Sequence, residues 1–178
     1  AIDASSDGDE VQVSVGTYYE TINFNGKNIS VIGADRETTI IDGDVNDNGV
    51  GDGSVVNFGS GELATSVLRG FTITNGYAEN GGGISVWGSS HPTLTNLTIS
   101  DNEAFGNGGG VCIFNNSSAN LTNVTISGNE ADGHGGGIVC TYNSSANLTN
   151  VTVSGNTTSN GSGGGLVTIN SNVVLLNT

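Results

Sequence analysis

The chain has 178 residues, among them 30 Gly, 24 Asn, one Pro, one Trp and no Met, with 17 acidic against three basic residues and a net charge of −14. That length predicts one domain with room for its own core. Three scattered cations cannot track phosphates or an anionic bilayer, so nucleic acid and an anionic membrane surface are excluded as partners. No apolar run reaches the roughly 18 residues that span a bilayer, so no membrane insertion is expected.

Taken in chain order, the acids crowd the start: 12 of the 17 lie at or before Glu62. That split points to a cation site or a solvated cap in the first third. The chain opens at Ala1 with neither Met nor a signal peptide, so a removed leader or an excerpt of a longer polypeptide is expected. Asp42 to Asp52 reads DGDVNDNGVGD. Counted from Asp44, oxygen-bearing side chains fall at loop positions 1, 3 and 5 (Asp44, Asn46, Asn48), with Gly49 at 6 and Asp52 at 9. This matches the first part of an EF-hand-type Ca²⁺ loop, although Val55 replaces the bidentate Glu at position 12. Ca²⁺ at Asp42, Asp44, Asn46, Asn48 and Asp52 is therefore one expectation, and a solvated acidic loop is the other.

From Leu68 onward the sequence repeats. Leu94 to Asn120 reads LTNLTISDNEAFGNGGGVCIFNNSSAN and Leu121 to Asn147 reads LTNVTISGNEADGHGGGIVCTYNSSAN. A weaker copy starts at Leu68, a further one at Leu148, and Leu176 begins another, giving periods of 26, 27, 27 and 28. Each unit holds two β-branched runs, such as LTNVTIS and GGGIVCTY, without helical periodicity. At about 3.3 Å per residue a unit can circle a small polygon of strands once and stack on its copies. The fold class predicted is all-β: a parallel β-helix (β-solenoid) with about 26–28 residues per coil, each coil burying its apolar face only against its neighbours. Within a coil Leu121, Val124 and Ile126 should point inward and Thr122, Thr125 and Ser127 outward. The break in alternation at Asn123 marks a bend, which Asn tolerates in the left-handed region. Asn96, Asn123 and Asn150 should form one side-chain ladder, and Asn102, Asn129 and Asn156 a second. A single β-helix domain over 1–178 is expected, with the cap, first coils and acidic loop in 1–66 and the regular coils in 67–178.

The stretch AIDASSDGDEVQVSVGTYYETINFNGKNISVIGADRETTIIDG resembles the N-terminal cap and first coils of pectate-lyase-like right-handed parallel β-helix proteins. On that resemblance Ala1 to Ser5 is the tail of a capping helix, Gly8-Asp9 is the turn into the first strand, and the solenoid is right-handed. The GGG[ILV] and TISGN repeats are also similar to the GGA[ILV] and FxxN repeats of polymorphic outer-membrane adhesins. The fold hosts lyases, hydrolases, adhesins and fibres, so the resemblance implies architecture more sharply than activity. The C-terminus stops one step into a new coil, so the native protein is expected to continue or to be covered there by another chain.

Lyase chemistry of the pectate-lyase type implies an acidic Ca²⁺ site and a basic residue, and only Lys27, Arg36 and Arg69 are available. Arg69 holds the position of Thr95 and Thr122 in later coils, which should face it outward. Glycoside hydrolysis needs paired acids; Glu103 and Glu130 share a repeat position with Asp132 nearby, a pattern that also suits a solvated turn. His134 reads as a turn variant and His91 precedes the only Pro. No catalytic residue is assigned. Cys112 and Cys140 lie one position out of phase, so no disulfide is expected, and Cys140 reads as a core residue.

The outward positions of the GGG strand read Ser85 and Trp87, Cys112 and Phe114, Val139 and Thr141, then Val167 and Ile169. So apolar an outer face predicts an interface through Trp87, Cys112, Phe114, Val139, Val167 and Ile169, with another copy, a cell-surface protein or a missing domain. On the other strand Thr72, Thr98, Thr125 and Thr152 form one column beside Thr74, Ser100, Ser127 and Ser154, an array that suits ice binding as well as plain exposed strands. Eleven N-x-S/T sequons are present; those at Asn115, Asn116 and Asn143 are the expected glycosylation acceptors, with the ladder Asn expected to be buried. The functional expectation is a non-catalytic extracellular or cell-surface scaffold, structural or adhesive, that self-assembles into filaments or oligomers. A polysaccharide-active enzyme or glycan-binding module is the alternative, and ice binding a third reading.

Overall fold

The computed structural model describes residues 1–177 and is a parallel β-solenoid of about six coils. Four sheets run along its axis, and almost every strand pair is parallel because each strand sits on its own copy one coil away. The first sheet has seven strands: Glu10–Val13, Ser30–Gly33, Val67–Arg69, Thr93–Thr95, Ser118–Thr122, Ser145–Thr149 and Asn172–Leu176. The second sheet has six, from Gly16–Tyr19 through Thr98–Ser100 and Thr125–Ser127 to Thr152–Ser154, and the third has six, from Ile22–Asn23 through Ile84–Val86 to Leu166–Ile169. A fourth sheet of four short strands joins Tyr77–Asn80, Glu103–Asn107, Glu130–Ala131 and Thr157–Thr158.

The LTNVTIS run is therefore two strands, hinged where Asn96, Asn123 and Asn150 adopt φ of 52°, 57° and 53°. Leu121, Val124 and Ile126 are buried as their pattern requires. The fourth sheet has no signature in the sequence because its strands are only two to five residues long and most are built of Glu, Ala, Asn and Gly, with no Val, Ile or Leu. At the start, Ile2–Ala4 forms one turn of 3-10 helix, held where Lys27 Nζ donates to the carbonyls of Ile2 and Asp3, both at 2.7 Å. Gly8, at φ +90°, makes the turn into the first strand.

Register corrects one count. Leu148 pairs with Leu175, so the last coil of the first sheet begins 27 residues on, at Leu175 and not at Leu176. The third sheet advances 28 residues in the same coil, Ile138 pairing with Leu166. An extra residue in the glycine turn is removed at the next corner, where Tyr142 and Asn143, both left-handed, give way to Asn170 alone. One core column runs from Phe58 through Val86 and Ile113 to Cys140, with Phe24 against Phe58 at 4.2 Å between ring centroids at its N-terminal end.

Two polar devices lie inside this shell. Asn102, Asn129 and Asn156 form an inner ladder, each Nδ2 donating to the next Oδ1 at 2.9 Å. The second is Glu62, which is 0% exposed. Burial pushes its carboxyl up, but donation from Ser90 Oγ at 2.7 Å and from the Ser60 and Gly26 amides at 3.0 and 2.8 Å outweighs it and holds the group below the ordinary glutamate range. The folded-state value is thus depressed, so the stabilisation is present above the unfolded value near 4.3 and is lost as pH falls through the folded one. The expected outcome is a melting temperature that falls on acidification below about pH 4.5, with a shallower fall in Glu62→Gln, measured by circular dichroism; equal slopes would remove Glu62 from that role.

Candidate functional site

The third sheet meets the first at a corner built from Trp87-Gly88-Ser89, Phe114-Asn115-Asn116 and Thr141-Tyr142-Asn143 in successive coils. Gly88 and Ser89, Asn115 and Asn116, and Tyr142 and Asn143 are all left-handed, which turns the chain sharply and pushes the flanking side chains into solvent. Trp87 is 43% exposed, and two coils further on Tyr142 and Asn143 are exposed. The indole covers Gly59 of the preceding coil, where an added Cβ would stand 2.4 to 2.6 Å from Cε2, Nε1 and Cζ2 of the ring. Phe114 follows with its ring 20° from the indole plane and 6.5 Å between centroids.

This geometry corrects the expected interface. Of its six residues, Cys112 and Val139 are 2% and 1% exposed. They face away from the core, but the glycine turn preceding each strand folds over them: a Cβ at Gly108 or Gly135 would lie 2.9 or 3.0 Å from Cys112 Cβ or Val139 Cβ. The apolar seam is thereby split into an aromatic part, Trp87 with Phe114, and a separate part in the last coil, Val167 with the exposed Ile169. Cys112 and Cys140 are both free, and burial, followed by the neighbouring Cys140, pushes the Cys112 thiol up to about 12, which leaves it inert as a nucleophile. Cys140 lies in the core cluster.

In the acidic loop the side-chain oxygens are already engaged. Asp44 accepts the amides of Asn48 and Gly49 at 3.0 and 2.7 Å, Asn46 Nδ2 donates to both oxygens of Asp52, and both oxygens of Asp42 accept from Asn75 Nδ2 at 3.0 Å. Among the described residues no three acidic, His or Cys side chains come together as a metal cage. Hydrogen bonds thus close the turn, Asp42 is turned toward Asn75, and a Ca²⁺ ion held by these five residues would have to replace those bonds.

Most of the other candidates for chemistry are tied to other coils. Arg36 donates to the Asn123 carbonyl at 3.3 Å and pairs with Glu37, while Arg69 is exposed in a polar cleft of about 460 Å³ that Asp35 and Arg36 share. Glu103 and Glu130 pair in register and are exposed, and Glu130 accepts from Ser159 Oγ at 2.8 Å. His91 Nδ1 is 2.8 Å from Ser118 Oγ, and His134 Nδ1 accepts the Ser162 amide at 3.1 Å. On the second sheet Thr72, Thr98, Thr125 and Thr152 stand in one column, with Ser100, Ser127 and Ser154 in the next.

Two features of the corner lay outside the reach of pattern reading. The seat at Gly59 falls in the irregular first coils, and Tyr142 emerges only because its corner residue is left-handed. The ladder of Asn96, Asn123 and Asn150 also departs from expectation: the three share a column, but only Asn150 Nδ2 to Asn123 Oδ1, at 3.2 Å, is bonded, and all three are exposed rather than buried because the bend throws them outward.

Comparison with known proteins agrees with this architecture. No curated protein and no solved structure matches the chain. The family model described as right handed beta helix region matches residues 19–178, which is most of the chain. With coils, parallel register and inner ladders as described, the chain belongs to the right-handed β-helix family.

Proposed function

We propose that the chain is a non-catalytic scaffold of the cell exterior, structural or adhesive, which presents its outer faces to partners and self-assembles. One observation carries the adhesive half of this reading: the aromatic corner of exposed Trp87 and half-buried Phe114 stands out on a solenoid whose Arg36, His91, His134 and Glu130 are bound to the coils around them. Such a surface on a stack of in-register coils suits holding and displaying better than turnover.

The mass of the purified chain in solution, by light scattering with Ca²⁺ and with chelator, tests self-assembly. Fibres or discrete oligomers are expected, and loss with chelator would tie assembly to the Asp42–Asp52 loop. A monomer in both conditions removes self-assembly, and turnover of polygalacturonate or alginate overturns the non-catalytic reading.

The Thr and Ser columns favour a second reading, ice binding, because they repeat in register on one sheet at a spacing of about 4.8 Å. Thermal hysteresis that Thr125→Lys abolishes would support it; freezing without hysteresis would end it.

A further inference from the structure

We propose that the Trp87–Phe114 corner is a binding platform for a neutral glycan chain lying across successive coils. The proposal rests on the adhesive reading above and names its ligand class.

The indole lies on the backbone of Gly59, so one of its faces is covered and the other turned to solvent. The half-buried Phe114 stands one coil further on, its plane tilted 20° from that of the indole with 6.5 Å between centroids, so the pair is offset rather than closed face to face and keeps aromatic surface on both rings. An aromatic shelf of this kind takes a flat ligand with apolar C–H faces, and a pyranose ring presents such a face while its hydroxyls point outward at the rim. The rim here is amide. Asn115, Asn116 and Asn143 are exposed beside the rings, and among the described residues none of their carboxamides is used in a hydrogen bond, in contrast to Asn120, Asn123, Asn147 and Asn150, which bond within their own columns. Each free carboxamide offers two donors and an acceptor, the complement a sugar hydroxyl requires.

Charge sets the class of sugar. The segments Ile84 to Ser90, Val111 to Ser118 and Ile138 to Ala146 contain no Asp, Glu, Lys or Arg, in a chain with net charge −14. No cation is on the face to attract a uronate or sulfate, and the field of the whole chain repels them. A second copy of the chain is the poorer occupant. Burial of Cys112 and Val139 under the glycine turns leaves two rings and a polar rim, far short of the roughly 800 Å² per partner that a stable protein contact uses.

Trp87 is the only tryptophan, so its emission reports this site alone. The experiment titrates the chain, purified from a bacterial host, with cellohexaose, laminarihexaose, xylohexaose and mannohexaose, and with hexagalacturonate as the charged comparison, followed by affinity electrophoresis in the corresponding polymers. The expected result is a saturable emission change with at least one neutral oligosaccharide and none with hexagalacturonate. Phe114→Ala should weaken binding roughly tenfold. Gly59→Ala should weaken it as well by lifting the indole from its seat, and Phe105→Ala, an exposed aromatic elsewhere, should leave it unchanged. Circular dichroism of each variant separates loss of binding from loss of fold. No emission change or retardation with any neutral glycan overturns the proposal. So does an emission that shifts with protein concentration alone while the mass doubles, since that would place a second copy on the corner. Loss of self-assembly elsewhere on the molecule leaves the glycan result untouched, so the two readings fail separately.

Discussion

Asn129→Ala is expected to cost about 3–5 kcal/mol and to lower the melting temperature by roughly 10 °C or more. The side chain is 0% exposed and makes five hydrogen bonds: Nδ2 donates to the carbonyls of Ile99 and Ser127 and to Asn156 Oδ1, and Oδ1 accepts from the amide and the Nδ2 of Asn102. Alanine strands the Asn102 backbone amide in a dry interior and removes the donor to the Ile99 carbonyl and to Asn156, each at about 1–3 kcal/mol, while Asn102 Nδ2 keeps the carbonyls of Ile73 and Ser100. Asn129→Asp should be worse, because it replaces the donor with a buried charge facing two carbonyls. The outer ladder is the control. Asn123 is exposed, is held by a single 3.2 Å bond from Asn150, and has φ of 57°, so Asn123→Gly should change stability by less than about 1 kcal/mol. Thermal and urea unfolding measure both; an Asn129→Ala cost no greater than that of Asn123→Gly would show that the inner ladder does not hold the coils.

The second large effect is expected at Gly110→Ala, at about 3 kcal/mol or more. An added Cβ would stand 2.6 Å from the Gly137 carbonyl, 3.0 Å from Ile126 Cγ2 and 3.1 Å from Asn129 Nδ2. The carbonyl cannot retreat without stretching its 2.8 Å bond from the Val111 amide, so strain falls on the stacking itself. The third glycine of the GGG motif is therefore a packing requirement alone, whereas the first, such as Gly108 at φ +68°, is required both by its left-handed backbone and by its close approach to the Val111 carbonyl and Cys112. Gly155 provides the contrast: it has φ +64° with only the Gly128 amide 3.9 Å away, and Asp101 adopts φ 58° two coils earlier in the same column. Gly155→Asn should lie within about 0.5 kcal/mol of wild type. Equal costs for the two glycine substitutions, by urea denaturation, would contradict this division of roles.

The sequence and the structure agree best where like must stack on like. Leu94, Leu121 and Leu148 share a column because a parallel coil returns the same position to the same neighbour, so the repeat in the letters is the repeat in space. Inner ladders are readable for the same reason, since Asn102 can satisfy Asn129 only if Asn129 can satisfy Asn156. Cys112 and Val139 defeat that logic because backbone covers them: a glycine turn folded over a strand has no side chain to announce it. The platform was half legible. Trp87 and Phe114 emerge from the outward positions of the GGG strand, but the Gly59 seat lies in coils whose lengths of 20 and 37 residues carry no period to follow. In the acidic loop the spacing of oxygen-bearing side chains was legible, but the bonds by which Asn46 turns to Asp52 and Asp42 to Asn75 were not, because they depend on side-chain direction and on a neighbouring coil.

The traded residue in the last full coil has a consequence for how such chains change. Between Ile138 and Leu166 the path is 28 residues long, yet Leu148 still meets Leu175 at 27, because a corner gives back what a turn takes. Strands are clocked by their neighbours and corners are not, so a gain or loss of one residue is absorbed within a single lap. Insertions at corners are thus nearly silent for the rest of the array, whereas one inside Leu121 to Ser127 would turn the core residues that follow it in that strand to the outside of the wall. Length variation in the array is steered to its edges, where Trp87, Phe114 and Tyr142 stand, and the surface that meets the outside is also the part of each lap freest to be rewritten.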